Sequence, residues 1–369
     1  MFLCQVCNSA NNSVLEIGDC QICKNKAALT DRMISEALVS LAKEGIFSFS
    51  ISTIIPKEWL TQEEGMWDRE IQNCQSIKNF LNKKISTEMQ KLTGLTYTAD
   101  GDCRVIFDYS TGNVQIERNE IFVFGRYMKL VPGLSQSRWI CSLCQGKGCK
   151  GCENKGKRYE SVEERIGEPI KKAAEASDYV LHASGREDVD AINTAGRPFV
   201  LAIKNPNKRR LDLDEITRQI SKSGEVSVHN LAIVERPFVE VVTESHFDKG
   251  YEATVEFERE LSDENIREIK TLEGKTIAQQ TPNRVAHRRA DLIRHRKIKN
   301  IDVAAVDGKN AVLKITAEAG TYIKELISGD EGRTNPSISG ILGTNARCKK
   351  LVVTKIDDGF LDLCLKTKT

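Results

Sequence analysis

Between two apolar runs, "DYVLH" and "RPFVLAIK", lies the segment "ASGREDVDAINTAGRPF" (183–199), which carries Glu187, Asp188 and Asp190 close together. The flanks read as buried strands, and Gly185 with the small residues before it lets the chain turn sharply after the first of them. Arg186, Glu187 and Asp188 are then presented at a sheet edge. Most such segments are acidic surface turns. Against that stands "TYIKEL" at 321–326, which opens a helix after Gly320. A lysine in a first helical turn opposes the helix dipole. Lys324 therefore calls for an anion, and a carboxylate of the 185–190 turn is the obvious partner. A neighbouring cation keeps an aspartate ionised despite burial. That suits a nucleophile or a base and opposes a general acid.

Two more stretches carry chemistry. "KGYEATVEF" places Tyr251 at the opening of a strand beside Lys249, with core packing as the plain alternative for both Tyr251 and Tyr322. "TPNRVAHRRADLIRHRKIK" has seven Arg/Lys and two His within 284–299, interleaved with Val285, Leu292, Ile293 and Ile298. This density, which includes Arg284, Arg288 and Arg289, suits a phosphate backbone, the alternative being a solvated basic face.

Eight of the twelve cysteines fall into C-x-x-C pairs. Cys4, Cys7, Cys20 and Cys23 have the spacing C-x2-C-x12-C-x2-C, two knuckles able to bring four thiolates around one Zn²⁺. Cys141, Cys144, Cys149 and Cys152 form a tighter group, with glycines at 146, 148 and 151 permitting the chain reversal that a second site needs. Cysteines 74, 103, 348 and 364 are scattered and read as small buried hydrophobes.

Other signatures fail. The G-x-G-x-x-G at 146–151 follows no strand, "GKT" at 274–276 lacks the upstream glycine of a P-loop, and there is no H-E-x-x-H or deaminase pattern. A net charge of +2 leaves no global attraction for nucleic acid, so a polyanion site has to be a local patch. Neither a signal peptide nor a membrane span is expected, which points to a cytoplasmic protein with reduced thiols.

The elements that hold these residues fit an α+β chain of several domains. A zinc-binding module is expected over 1–27 and a small α/β domain over 28–140. The latter has a helix at 28–43, a strand at 46–55, a helical stretch at 62–92 and a hairpin turning at "STGN". The second cysteine group, 141–157, acts as a boundary. Over 158–369, strands at 179–184, 197–204, 226–235, 251–257 and 311–317 alternate with short helices. Asp212 and Ser262 start two of these helices in capping boxes, and Gly224 and Gly274 end them.

"SGREDVDAINTAGRPF", "KGYEATV", "QQTPNRVAHRRADLIRHRKI" and "AGTYIKELISGDEGRTNPSI" together resemble the tRNA pseudouridine synthase family of archaea and eukaryotes that modifies the TΨC arm. The likeness spans essentially all of 158–369, in the family's order. The first half looks, more loosely, like the family's zinc-bearing, THUMP-containing part, and the second cysteine group is similar to one in archaeal members. The resemblance implies a C-terminal mixed-sheet synthase domain behind a zinc module and a THUMP-like RNA-binding domain. It implies isomerisation of uridine 54, uridine 55 or both in the T-loop of tRNA. Asp188 falls on the catalytic aspartate of G-R-x-D, with Asp190 a bystander. Tyr251 falls on the aromatic that stacks on the target base. Tyr322 and Lys324 match G-T-Y-[IV]-[KR], where the cation pairs with the aspartate. Arg186, Arg284, Arg288 and Arg289 are expected to meet the substrate. After "GREDVD" the family carries a charged or bulky run ending "LG", where this chain has "AINTAG". The implied zinc is structural, catalysis needs no cofactor, and no obligatory protein partner is expected. A non-catalytic zinc-containing RNA-binding protein is the alternative, but it gains nothing from a carboxylate–lysine–tyrosine set. An RNA methyltransferase would need a glycine-rich cofactor loop that the sequence lacks.

Overall fold

The computed structural model of the protein describes residues 2–10, 16–41, 46–67, 75–288 and 290–366. The chain forms two compact units. One comprises Met1–Glu120 with the returning segments Ala174–Asp178 and Lys204–Leu211; the other comprises Ile121–Ala173, Tyr179–Ile203 and Asp212–Thr369.

In the first unit, β1 (Ser48–Ile54), β2 (Thr96–Tyr97), β3 (Cys103–Asp108) and β4 (Asn113–Arg118) form a sheet in the order β2-β1-β3-β4. β1 runs parallel to β2 and β3, and β3 and β4 close the expected hairpin. The expected helical stretch at 62–92 is two helices, Lys57–Trp67 and Ile77–Thr93. The second begins at Ser76, whose side chain accepts from the Asn79 N–H, and stops at Gly94, whose φ of 72° suits glycine. It buries Ile77, Leu81, Ile85 and Met89, spaced by four, against the sheet. Cys4, Cys7, Cys20 and Cys23 sit in that same hydrophobic core with Phe49 and Phe107. The zinc module expected at 1–27 thus shares its core with the α/β layer.

The second unit is built on a ten-stranded sheet. Its strands are β5 (Ile121–Lys129), β6 (Asp178–Ala183), β7 (Ile192–Lys204), β8 (Val226–Val234), β9 (Lys249–Phe257), β10 (Thr276–Gln280), β11 (Ile293–Asp307), β12 (Asn310–Ala317), β13 (Thr334–Asn335) and β14 (Ala346–Ile356). They lie in the order β13-β10-β11-β12-β9-β14-β7-β5-β8, with β6 also paired to β7. β14 runs parallel to β7 and antiparallel to β9, so the sheet is mixed. A large hydrophobic cluster in it includes Val255, Leu313, Leu326 and Ile338.

The second unit starts at residue 121, earlier than the boundary expected near 158. β5 is buried along almost its whole length, which suits a strand covered on both faces. It pairs with β7 on one side and β8 on the other, so it does not extend the β3–β4 hairpin. The second cysteine group also lies in this unit. The helix Leu213–Ser221 has Asp212 as N-cap, but Glu215 turns to Arg218 and Gln219, leaving the capping box half made. Ser262 and Asn265 cap Asp263–Lys270 reciprocally. The two helices end at Lys222 and Thr271, with Gly224 and Gly274 a little further on at positive φ.

Candidate active site

The turn between β6 and β7 is held from below. Gly185 has φ of 76°, and a Cβ there would stand 3.2 Å from the Arg197 guanidinium, so both the backbone and the space call for glycine. Of the three acids, Glu187 points inward. Its carboxylate meets Arg197 Nε at 2.6 Å, with both side chains almost wholly buried, and accepts from the Tyr127 hydroxyl at 2.7 Å. Burial would lower the Arg197 pKa, but Glu187 together with Tyr127 and Tyr251 outweighs it and raises it. Gln136 donates to Tyr127 Oη and to the Gly185 carbonyl, both at 2.9 Å. Lys129, fully buried at the end of β5, spends its three donors on the carbonyls of Leu134, Asp188 and Val189 at 2.9–3.0 Å. Burial pulls its pKa down, against the pull of the nearby acids. These contacts fix the backbone that carries Asp188.

Above this base, Asp188 faces two cations. Arg284 NH1 meets Asp188 Oδ1 at 2.5 Å, and Lys324 Nζ lies 3.5 Å from Oδ2. Lys324 stands closer to Asp190, at 2.6 and 2.7 Å from its two oxygens. Burial would raise the Asp190 pKa, but Lys324 outweighs it and holds the carboxyl below its ordinary value. Asp190, expected as a bystander, is therefore the nearest partner of Lys324. Its side chain is 70% exposed, against 31% for Asp188, and the long lysine reaches the outer acid more readily.

Tyr322 caps the helix Ile323–Ser328 that bears Lys324. Gln279, fully buried on β10, brackets the Tyr322 backbone by donating to its carbonyl and accepting from its N–H, both at 2.9 Å. Glu325, which follows Lys324, is 4% exposed and binds Arg284 Nε at 2.6 Å.

Beside these residues lies a cavity of about 420 Å³, within the range of roughly 300–1,000 Å³ usual for small-molecule sites. Arg186, Asp188, Lys249, Tyr251, Tyr322 and Lys324 all contribute to its wall. Tyr251 and Lys249 are neighbours on one face of β9, both less than a tenth exposed. Burial pushes the Tyr251 phenol up to about 12, against an opposing pull from Arg197, so it is neutral at ordinary pH. Burial, with Arg197 adding to it, brings the Lys249 amine down to about 8. Arg186 is exposed at the edge.

The basic strip is divided. Most of its length from Ile293 onward is strand β11, where Arg294 and Arg296 line the cavity. Lys299 pairs with Asp248 instead. Arg284, expected to meet phosphate, pairs with Asp188 and Glu325. Arg289 and the side chain of Arg288 lie outside the described residues.

The two cysteine groups each bring four sulfurs within 4.8 Å of one another. Neighbouring sulfurs stand at 3.4 Å (Cys4–Cys23), 3.9 Å (Cys141–Cys149) and 3.8 Å (Cys144–Cys152). A tetrahedron with metal–sulfur bonds of about 2.3 Å has edges of about 3.8 Å, so both groups can hold a metal ion.

A cavity whose wall carries a doubly paired aspartate and whose lining includes a neutral tyrosine belongs to an enzyme more readily than to a passive binder. Comparison with known proteins agrees in class and narrows it. Residues 122–357 match the family model described as "Pus10, C-terminal". A protein of Methanocaldococcus jannaschii named tRNA pseudouridine synthase Pus10 is 39% identical over 94% of this chain and 77% of its own length. One of the same name from Archaeoglobus fulgidus is 36% identical over 96% of this chain and all of its own. A crystal structure of a Cbf5-Nop10-Gar1 complex covers 51% of this chain and 43% of its own, at 21% identity and a TM-score of 0.33. This chain belongs to the Pus10 family.

Proposed function

We propose that the protein is a tRNA pseudouridine synthase that isomerises uridine 54, uridine 55 or both in the T-loop, with Asp188 as the catalytic carboxylate. The class of activity, an isomerase of tRNA uridine, follows from membership of the family. What supports the choice of residue is the position of Asp188 on the cavity wall, touched by Arg284 and approached by Lys324.

The reaction breaks the N1–C1′ bond, turns the base over and joins C5 to C1′; C5 then loses its proton and N1 gains one. Atoms balance within the substrate, so no redox or group-transfer partner enters. Asp188 acts as nucleophile or as base on the sugar, with Arg284 and Lys324 beside its two oxygens. Tyr251, neutral and buried in the wall, offers a face for the uracil. Stacking worth about 1–3 kcal/mol offsets part of the cost of taking the base out of the T-loop. Arg186, Tyr322 and the cavity-facing arginines of β11 hold the nucleotide and its phosphates.

Zinc, held by Cys4, Cys7, Cys20 and Cys23 and by Cys141, Cys144, Cys149 and Cys152, cross-links the chain and takes no part in the reaction. The β1–β4 layer serves as a THUMP-like RNA-binding domain. tRNA is the partner, and the cytoplasm its place of action. Among the described residues no helix is long and apolar enough to cross a membrane.

The test is pseudouridine mapping in tRNA that lacks modification at 54 and 55, before and after incubation with the protein. Pseudouridine at either position is expected. Conversion elsewhere only, or none with folded and metal-replete protein, would overturn the assignment.

A further inference from the structure

Arg284 is held by two carboxylates through all three of its side-chain nitrogens. Nε and NH2 grip the two oxygens of Glu325 at 2.6 and 3.3 Å, while NH1 reaches Asp188 Oδ1 at 2.5 Å. Glu325 is 4% exposed, and a carboxylate so buried requires a cation. Arg284 supplies it in the two-pronged geometry that a guanidinium suits and an ammonium does not. Its own pKa is lifted further above the ordinary arginine value: burial would lower it, and Glu325 and Asp188 together overcome that.

The loop that delivers Arg284 is stapled at its base. Thr281 donates to the Ala290 carbonyl at 2.7 Å and accepts from the Leu292 N–H at 3.1 Å. Arg333 closes the same base by binding the Thr281 carbonyl and Asp291, each at 2.7 Å. Asp330 takes the Asn283 N–H at 3.1 Å, one residue before the arginine. Two carboxylates take three of the five N–H donors of Arg284, so a phosphate would have to share the guanidinium with both of them. Meanwhile Asp188 has one oxygen tightly held, and Oδ2, with Lys324 at 3.5 Å, is the looser of the two.

We infer that Arg284 is a positioning residue for Asp188, oriented by the buried carboxylate of Glu325, and is not a phosphate contact. The inference rests on the reading of Asp188 as the catalytic carboxylate. Glu325 never needs to meet the substrate; it aims the arginine, and the arginine aims the aspartate. Misplacing a reacting group by about 1 Å can cost on the order of 10²-fold in rate, which sets the scale of the effect.

The experiment compares Glu325→Gln, Arg284→Lys, Arg284→Met, the double variant Arg284→Met/Glu325→Gln, and Asp188→Asn. Single-turnover pseudouridine formation and tRNA affinity are measured for each. Arg284→Met strands the Glu325 charge and is the variant most at risk of misfolding; the double variant removes both charges and keeps the test open. Arg284→Met and the double variant should each lose about 10²-fold in rate with tRNA affinity nearly unchanged. Glu325→Gln should lose less, Arg284→Lys should recover part of the rate, and the double should be no worse than Arg284→Met, because the two residues act in series. If instead Arg284→Met weakens tRNA binding, reduces the salt dependence of affinity and leaves the single-turnover rate intact, Arg284 is a phosphate contact and the inference fails. Normal rates for Glu325→Gln and the double variant beside an inactive Asp188→Asn would also sink it, while leaving the catalytic assignment standing. An active Asp188→Asn would remove the assignment itself.

Discussion

Lys324 Nζ stands 2.6 Å from Asp190 Oδ1 and 3.5 Å from Asp188 Oδ2, so one cation bridges two acids that lie two positions apart in the chain. The two pairs differ in setting. Asp190 is open to water, where an ion pair contributes about 0–1 kcal/mol, whereas Asp188 lies deeper and is also held by Arg284.

The first prediction separates the two acids. Asp188→Asn keeps the shape and loses the anion, and should abolish pseudouridine formation with tRNA binding preserved within a few fold. Asp190→Asn frees Lys324 for Asp188 and should keep activity within about tenfold, an exposed pair being weak. Single-turnover assays on both variants check this. Equal losses would mean that the turn acts as a structural unit or that the wrong carboxylate is named.

Lys324 can be tested through its charge. Lys324→Met removes the cation that stands beside Asp188 and Asp190, and should slow the reaction by about 10²-fold or more. Lys324→Arg should retain more of the rate. A methionine variant with normal turnover would break the link between this lysine and the chemistry.

For the metal sites, elemental analysis of protein purified without chelators should give two equivalents of zinc, one for each cysteine group. Cys4→Ser or Cys20→Ser should lose one equivalent and destabilise the first unit, since these thiols are buried in its core. With the second unit folded, the reaction centre itself should be untouched. One equivalent in the wild-type protein would exclude one of the two groups.

Much of this was legible in the sequence because it was local. The strands flanking the 185–190 turn, the helix opened by "TYIKEL" and the cysteine spacings each lie within a short window. What stayed hidden depends on distant pairing. β11 went unread as a strand because it is largely exposed and highly charged, with few buried positions to mark a period of two. Lys129 and Gln279 are polar residues on strands, and only the fold shows that one holds the Asp188 backbone and the other the Tyr322 backbone. The division of labour among Glu187, Asp188 and Asp190 could not be read either. It is set by Arg197 on β7, Arg284 before β11 and Lys324 after β12.

Lys249 gives a pH dependence. Its pKa falls from 10.5 to about 8 in the folded state, chiefly through burial. The charged amine therefore costs the fold below pH 8, and the cost is relieved as pH rises from about 8 to 10.5, where the unfolded chain still holds the proton. A shift of this size corresponds to about 3 kcal/mol. Denaturant melts of wild type and Lys249→Met, compared at pH 7.5 and pH 10, should show the wild type gaining on the variant at the higher pH. A difference independent of pH would mean that the amine titrates normally.

The basic strand offers a test in which two pairs of its cations serve as mutual controls. Arg294 and Arg296 line the cavity, whereas Lys297, which alternates with them along the strand, and Lys299 do not. Arg296 lies over Gly320, 3.3 Å from where a Cβ would be, at the entrance to the segment that carries Tyr322 and Lys324. If tRNA enters this cavity, Arg294 and Arg296 must approach its phosphates and release counterions. Each phosphate contact contributes about 0.7–0.9 to the slope of log affinity against log salt. Replacing Arg294 and Arg296 with glutamine should lower that slope by up to about 1.8 and weaken different tRNAs about equally, since phosphate contacts position without reading sequence. The same change at Lys297 and Lys299 should leave the slope nearly unaltered, because Lys299 is engaged with Asp248 and neither lysine lines the cavity. Equal effects from the two pairs would mean that the strand attracts RNA only as a diffuse charge. An effect from Lys297 and Lys299 alone would place the tRNA away from Arg294 and Arg296, and the cavity would then need another route for its substrate.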